Sequence, residues 1–353
     1  MQPQVSLNSN RIQGLDSIRF IAALFVAVDH LLELPRYSTL NESSFILKAL
    51  YLLYSHAISG PTAVIVFFVI SGFCINYPYT SGKPLNIGEF YSKRLIRIGI
   101  PMIVAFLLGT YFNLHNLGVL WSLKAEIIYY LLFPLLLWLR KYYKWNTLII
   151  VSFLISYAII IAFVRLEASG DIVTGYPFGI YPRYGYLNFL VGLPCWLLGV
   201  KLAEVYRLKN STYKPVTTSS IILFRLLAWA GLFVCKSLYF HTNIGFNESL
   251  NCYAIVVYFW LEKEIFYFRH KKPLQLLEQA GNWSYSLYLC HSAIPTLFIY
   301  MSIPYYNSTI HFVLLLSASF VVSYLFYLLT EKPSHKLSKS FSIVKIKSVF
   351  TQN

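Results

Sequence analysis

Charge is what this sequence most lacks. Charged residues make up 12% of the 353 positions, about half the roughly 25% carried by soluble domains. With 57% hydrophobic residues, that deficit excludes a disordered chain and argues against an ordinary soluble enzyme. Acids are scarcer than bases, 14 against 29, for a net charge of +15. Several catalytic signatures are missing too. There is no Walker A loop, no HExxH zinc helix and no CxxC pair. The five cysteines (Cys74, Cys195, Cys235, Cys252 and Cys290) are scattered, mostly within apolar runs, so no metal site and no redox compartment follow from them. No GxSxG nucleophile elbow occurs. The His-x4-Asp pattern of some soluble acyltransferases is absent, since Leu34 and Pro35 stand four and five residues after His30.

What is present is apolar sequence from end to end, with a mean hydropathy of +0.57. The reading is an all-α polytopic membrane protein of about ten transmembrane helices, at 18–34, 62–79, 99–114, 121–139, 146–164, 185–203, 219–240, 248–262, 283–301 and 310–330. The polar first 17 residues show no cleavable signal, which makes the first span an uncleaved anchor. Spans near 16 residues are short for a bilayer of about 30 Å and call for shelter inside a bundle. The expected organisation is a cytoplasmic segment 1–17, a transmembrane domain 18–336 and a basic cytoplasmic tail 337–353.

Loop charge sets the orientation. With the N-terminus inside, the cytoplasmic segments hold 21 Lys and Arg and the outer ones five, Lys236 among them. This positive-inside bias places both termini in the cytoplasm. It also assigns the basic balance to topology and lipid headgroups rather than nucleic acid.

Ionisable groups inside spans cost about 2.5–3.5 kcal/mol even on insertion scales, so each is a functional candidate. In LDSIRFIAALFVAVDH, Arg19 and His30 are eleven residues apart, close to three whole turns. They share one face about 16 Å apart, with Ala22, Ala23 and Val26 between them leaving room for a ligand or a neighbouring helix. Alternatively, the two side chains snorkel to opposite headgroup layers. Asp29 and Glu33 add carboxylates beside the imidazole. Arg94 and Arg97 sit three apart at the start of span three, a spacing that suits a phosphate, although a plain basic anchor reads the same. Glu126 opens span four among apolar residues, with Trp121 and Ser122 beside it, either as a site acid or as an interhelical clamp. His291 lies mid-span near Tyr285, with Ser284 and Tyr288 on its face. Glu331 ends span ten. Lys124 and Arg225 stay unassigned.

The blocks LDSIRFIAALFVAVDH, FFVISGFCI, KRLIRIGIP, WSLKAEIIYYLLFP, GNWSYSLYLCH and YLLTEKP, in that order from about residue 14 to 336, resemble the membrane acyltransferase-3 family, bacterial O-acyltransferases that decorate surface glycans. The resemblance implies an inner-membrane, multi-pass O-acyltransferase, most often an O-acetyltransferase, that binds no cofactor or metal. Acyl-CoA is its co-substrate, and its acceptor is a glycan such as O-antigen, capsule or exopolysaccharide, free or polyprenyl-linked. It implies His30 and Arg19 as catalytic, Arg94 and Arg97 as acyl-CoA ligands, and Glu126 as a further site acid. Asp29, Glu33, Trp121, Ser122, Tyr285, His291 and Glu331 are supporting candidates. Lys124 stands where the family usually has Ser or Thr, and Cys290 where it often has Trp. The resemblance is to the family's stand-alone form, which is expected without the extra hydrolase-like domain of some members. A competing class is a secondary transporter whose intramembrane polar groups form a proton relay, though no internal repeat supports it.

Overall fold

The computed structural model describes residues 12–31, 55–112, 121–168, 187–209, 212–242, 244–303 and 308–340, with residues 49 and 53. Among these the secondary structure is entirely helical. The helices are α1 (Leu15–His30), α2 (Gly60–Asn76), α3 (Ile87–Arg94), α4 (Ile100–Tyr111), α5 (Trp121–Leu139), α6 (Trp145–Ala168), α7 (Asn188–Lys209), α8 (Thr218–His241), α9 (Phe246–Tyr267), α10 (Gln275–Ala280), α11 (Ser284–Cys290), α12 (Ile294–Tyr300) and α13 (Ser308–Phe326). Glu33 lies outside the described residues.

Among the described residues, seven stretches are long and apolar enough to cross a membrane: Gly60–Tyr79, Ile87–Tyr111, Trp121–Leu139, Trp145–Ala162, Asn188–Lys209, Thr218–His241 and Ile310–Ser340. The other three expected spans differ from simple spanning helices for separate reasons. Helix α1 has only 16 residues. Helix α9 carries Glu248, Glu262, Lys263 and Glu264. The segment 283–301 is not one helix: α11 gives way to a tight turn at His291–Ala293 before α12. Proline explains that break. Pro295 has no N–H for the carbonyl of His291, and the Ile294 N–H takes that carbonyl instead.

Two further proline effects shape the bundle. Leu95–Gly99 and Tyr327–Glu331 are wide π turns, each ending two residues before a proline (Pro101 and Pro333) whose missing N–H interrupts the α ladder. Residues 87–111 are therefore one helical rod rather than a loop to residue 98 followed by a span, and the last helix runs on to residue 340.

Helix α2 is the axis of the fold, burying 14 of its 17 residues, as a helix apolar all round should. It packs along α7 with almost no space between the backbones. A Cβ on Gly72 would sit 2.0 Å from the Trp196 carbonyl oxygen, and one on Gly199 1.9 Å from that of Val69. Lipid offers no hydrophobic drive between helices, so this close approach is itself a source of association. Asn76 Nδ2 donates to the Val200 carbonyl at 2.8 Å, and buried Asn251 joins α9 to α6 by donating to Ser156 Oγ at 2.7 Å. On the periphery, Leu107, Leu154, Leu226 and Leu329 are exposed, the surface a lipid-embedded bundle presents.

Gly72→Leu and Gly199→Leu should each destabilise the fold by about 2 kcal/mol or more through overpacking. Thermal unfolding of the detergent-purified protein checks this, with Gly88→Ala, which meets only ordinary contact at 3.7 Å, expected to match wild type.

Candidate active site

Helix α1 carries Arg19 near one end and His30 at the other, and a carboxylate fixes each end, Glu278 of α10 at the first and the helix's own Asp29 at the second. Its N-cap is Gly14, which has φ +87° and no side chain to cap with. Glu278 Oε1 does the capping instead, accepting from Gly14 N at 3.0 Å, Ser17 N at 3.1 Å and Ser17 Oγ at 2.7 Å. At the other end, Asp29 Oδ2 accepts from Gly60 N at 2.8 Å, the first residue of α2. Asp29 Oδ1 meets Lys236 Nζ at 2.7 Å, and Lys236 also donates to the Ile58 carbonyl at 2.5 Å. Lys236 is thus not an outer loop charge, as counted from sequence. It lies in α8 with 8% of its side chain exposed, paired to Asp29 at 14%.

His30 sits at the end of α1. Its Nδ1 lies 2.8 Å from the Val26 carbonyl. A carbonyl only accepts, so Nδ1 carries a proton, and in the neutral ring Nε2 then holds the lone pair. The His291 ring packs 5.2 Å from His30, and Tyr288 packs 5.9 Å from His291. His291 is fully buried, its Nδ1 is 3.1 Å from the Leu287 carbonyl, and its Nε2 has no partner among the described residues. Tyr288 in turn pairs with Ser122 at 2.5 Å, linking α11 to α5. Spacing within each helix gave no sign that the two imidazoles meet, because α1 and the α11–α12 break are far apart in sequence. Ser284, expected on the His291 face, turns back to the Gly281 carbonyl at 2.9 Å.

Towards the other end of α1 the groups are cationic. Arg19 donates to Cys74 Sγ at 3.2 Å and pairs with Asp16 at 3.4 Å. Arg94 lies over the Phe90 and Tyr130 rings, 6.0 Å from each centroid. Arg97 Nε donates to His335 Nε2 at 3.1 Å. The π turn at Leu95–Gly99 gives the two arginines different partners instead of one converging fork, but Arg97 still lies within electrostatic reach of both Arg94 and Arg19. His335 is 3.6 Å from Glu331 Oε1, while Glu331 Oε2 accepts from Ser286 N at 3.1 Å and Ser286 Oγ at 2.5 Å. Tyr285 donates to the Ile98 carbonyl at 3.0 Å, bracing the same π turn. Sequence reading missed His335, Cys74 and Ser286; the two prolines that follow π turns are the signal that could have drawn attention to this end.

Glu126 stands between the two groups. It accepts from Ser71 Oγ at 2.6 Å and from Tyr130 OH, and Trp196 Nε1 donates to Ser71 Oγ at 3.3 Å. The Glu126 and Tyr130 side chains are within electrostatic reach of Arg19. Trp121 packs edge-on at 6.2 Å from Phe68. Ala22 and Val26 are buried in one apolar cluster with α2, so the space beside the small residues of α1 is taken by a neighbouring helix. Arg225, unassigned from sequence, is structural: it forks onto Glu264 at 2.6 and 3.0 Å. Lys124 is exposed, and nothing in the structure gives it a role.

Removing one partner of the Asp29–Lys236 pair leaves a buried charge, so Lys236→Met alone should cost on the order of 3 kcal/mol. The double variant Asp29→Leu/Lys236→Met should recover much of that loss in thermal unfolding. A single variant as stable as wild type would contradict the clamp.

A family model described as an acyltransferase domain, acyltransferase-3, matches residues 12–328. It covers the first five blocks that carried the resemblance and the opening Tyr327 and Leu328 of the sixth. No curated protein and no solved structure matches the chain. With seven candidate membrane-spanning helices under that match, the chain is a multi-pass membrane protein that belongs to the acyltransferase-3 family.

Proposed function

We propose that this protein moves an acyl group, acetyl in the first instance, from cytoplasmic acyl-CoA to a hydroxyl of a cell-surface or lipid-linked glycan. The observation that carries this reading is the 2.8 Å contact of His30 Nδ1 with the Val26 carbonyl: with Nδ1–H donated there, the neutral ring presents an Nε2 lone pair that can take a proton. A sugar hydroxyl is a poor nucleophile near neutral pH, and a positioned imidazole is the usual remedy. As Nε2 takes the hydroxyl proton, the alkoxide oxygen bonds to the thioester carbon. The C–S bond then breaks, and the imidazolium returns the proton to the departing CoA thiolate. An acyl-His30 intermediate uses the same lone pair as nucleophile and passes the group on in a second step. His291, buried against His30, holds that ring in place.

The donor enters from the opposite end. Arg94, Arg97 and Arg19 form the cationic group that holds the phosphates of CoA. The positive-inside count supports a cytoplasmic position for this end, the side on which CoA is found. The roughly 16 Å from Arg19 to His30 along α1 is comparable to an extended pantetheine arm. Glu126, hydrogen-bonded to Ser71, positions groups between the two ends. The glycan, polyprenyl-linked or already exported, meets His30 at the outer face of a bacterial inner membrane.

Proton NMR of surface polysaccharide from a deletion strain complemented with each variant tests this. Wild type should restore alkali-labile O-acyl signals. At equal membrane levels, His30→Ala should lower acylation by about 10²–10⁴-fold, the usual scale for a general base, and Arg94→Ala should weaken it through the donor. Unchanged acylation with altered glycan export would instead favour a transporter.

A further inference from the structure

A second polar site lies away from α1, where α7 ends and α8 begins. Lys209 and the residues from Thr212 to Thr217 lie over the last turns of α9 and border an open cleft of about 730 Å³. Three lysines line it, Lys209, Lys214 and Lys263, against one acid, Glu262. Lys209 pairs with Glu262 at 2.8 Å. Lys263 donates to Tyr213 OH at 2.7 Å and lies 5.4 Å from the Phe224 ring centroid. Tyr213 stacks flat on Phe266, centroids 3.7 Å apart and planes within 2°. That stack fixes the linker over α9, so the lysines converge on a formed cavity and keep a net charge of two. The cleft is at the same end of the bundle as the arginines but across α2 and α7 from them. Tyr206 meets Tyr77 at 5.8 Å on one side and Phe266 at 5.2 Å on the other, while Tyr79 meets Phe90 at 6.3 Å.

The cleft opens onto apolar surface. Phe259, on its wall, is 49% exposed, and Leu223 and Leu226 just along α8 are 54% and 56% exposed. Helix α8 is long and apolar enough to cross a membrane, which would set those side chains against acyl tails and the lysines at headgroup level. Basic pockets between helices at this level select anionic headgroups. We infer that this cleft binds the phosphate headgroup of an anionic phospholipid, with one acyl chain lying along Phe259 and Leu223. The site is separate from the acyl-transfer machinery and uses none of its residues.

Full-length protein in detergent, titrated with phosphatidylglycerol or phosphatidylcholine and read by native mass spectrometry and thermal unfolding, tests this. Wild type should retain and be stabilised by phosphatidylglycerol only. Lys209→Gln/Lys214→Gln/Lys263→Gln should weaken its retention more than tenfold. Lys214→Gln alone, at an exposed position that leaves the fold intact, should weaken it about fivefold, as expected for roughly 1 kcal/mol per lysine. Lys271→Gln/Lys272→Gln, exposed lysines outside the cleft, should behave as wild type. Retention unchanged in the cleft variants, or lost equally in the control, overturns the proposal. Displacement of the lipid by millimolar inorganic phosphate also overturns it, by making the cleft a small-anion site.

Discussion

Helix α1 buries nine of its 16 residues, and two carboxylates, one at each end, fix how it sits against its neighbours. Glu278 caps the N–H groups that Gly14 leaves unsatisfied, and Asp29 ties the last turn to the first N–H of α2 and to Lys236 of α8. Both contacts are charge-assisted and part-buried, so each is stronger than a neutral hydrogen bond. Because Arg19 and His30 share this one helix, the distance between the two ends of the site is set by covalent geometry, and its register against α2 is set by these clamps.

Around that fixed rod, proline controls where other elements can place chemistry. Pro101 and Pro333 each follow a π turn, and those turns carry Arg97 and Glu331, which meet through His335. Pro295 follows the tight turn that begins at His291. In each case a missing backbone donor loosens the helix beside a polar side chain, and such local departures recur at functional sites. The α2–α7 glycine contact does the opposite, locking the centre so that the adjustments stay local.

Much of this was legible in the sequence because membrane chains expose their physics in composition. The all-helical class followed from apolar runs, and the candidate residues followed from the cost of burying charge. Arg19 and His30 lie on one helix, so periodicity alone gave their shared face. What was not legible was pairing between helices. The His30–His291 contact, the Glu126–Ser71 bond and the Asp29–Lys236 clamp each join segments 55 or more residues apart. Lys236 misled because a lysine near the end of a span reads as a snorkelling loop charge until its partner is known. The span at 283–301 misled because hydropathy does not register a lost N–H. The spacing of Arg94 and Arg97 was read as α-helical and is altered by a π turn.

The proposed acyl transfer turns on one arrangement, a donor held by arginines at one end of α1 and a base at the other. The most direct test is a cryo-electron microscopy structure of the protein with bound acetyl-CoA. That arrangement predicts phosphates among Arg19, Arg94 and Arg97, with the thioester extended towards His30 Nε2. Phosphates lodged elsewhere, in the lysine cleft for instance, or an acyl group remote from His30, would contradict it.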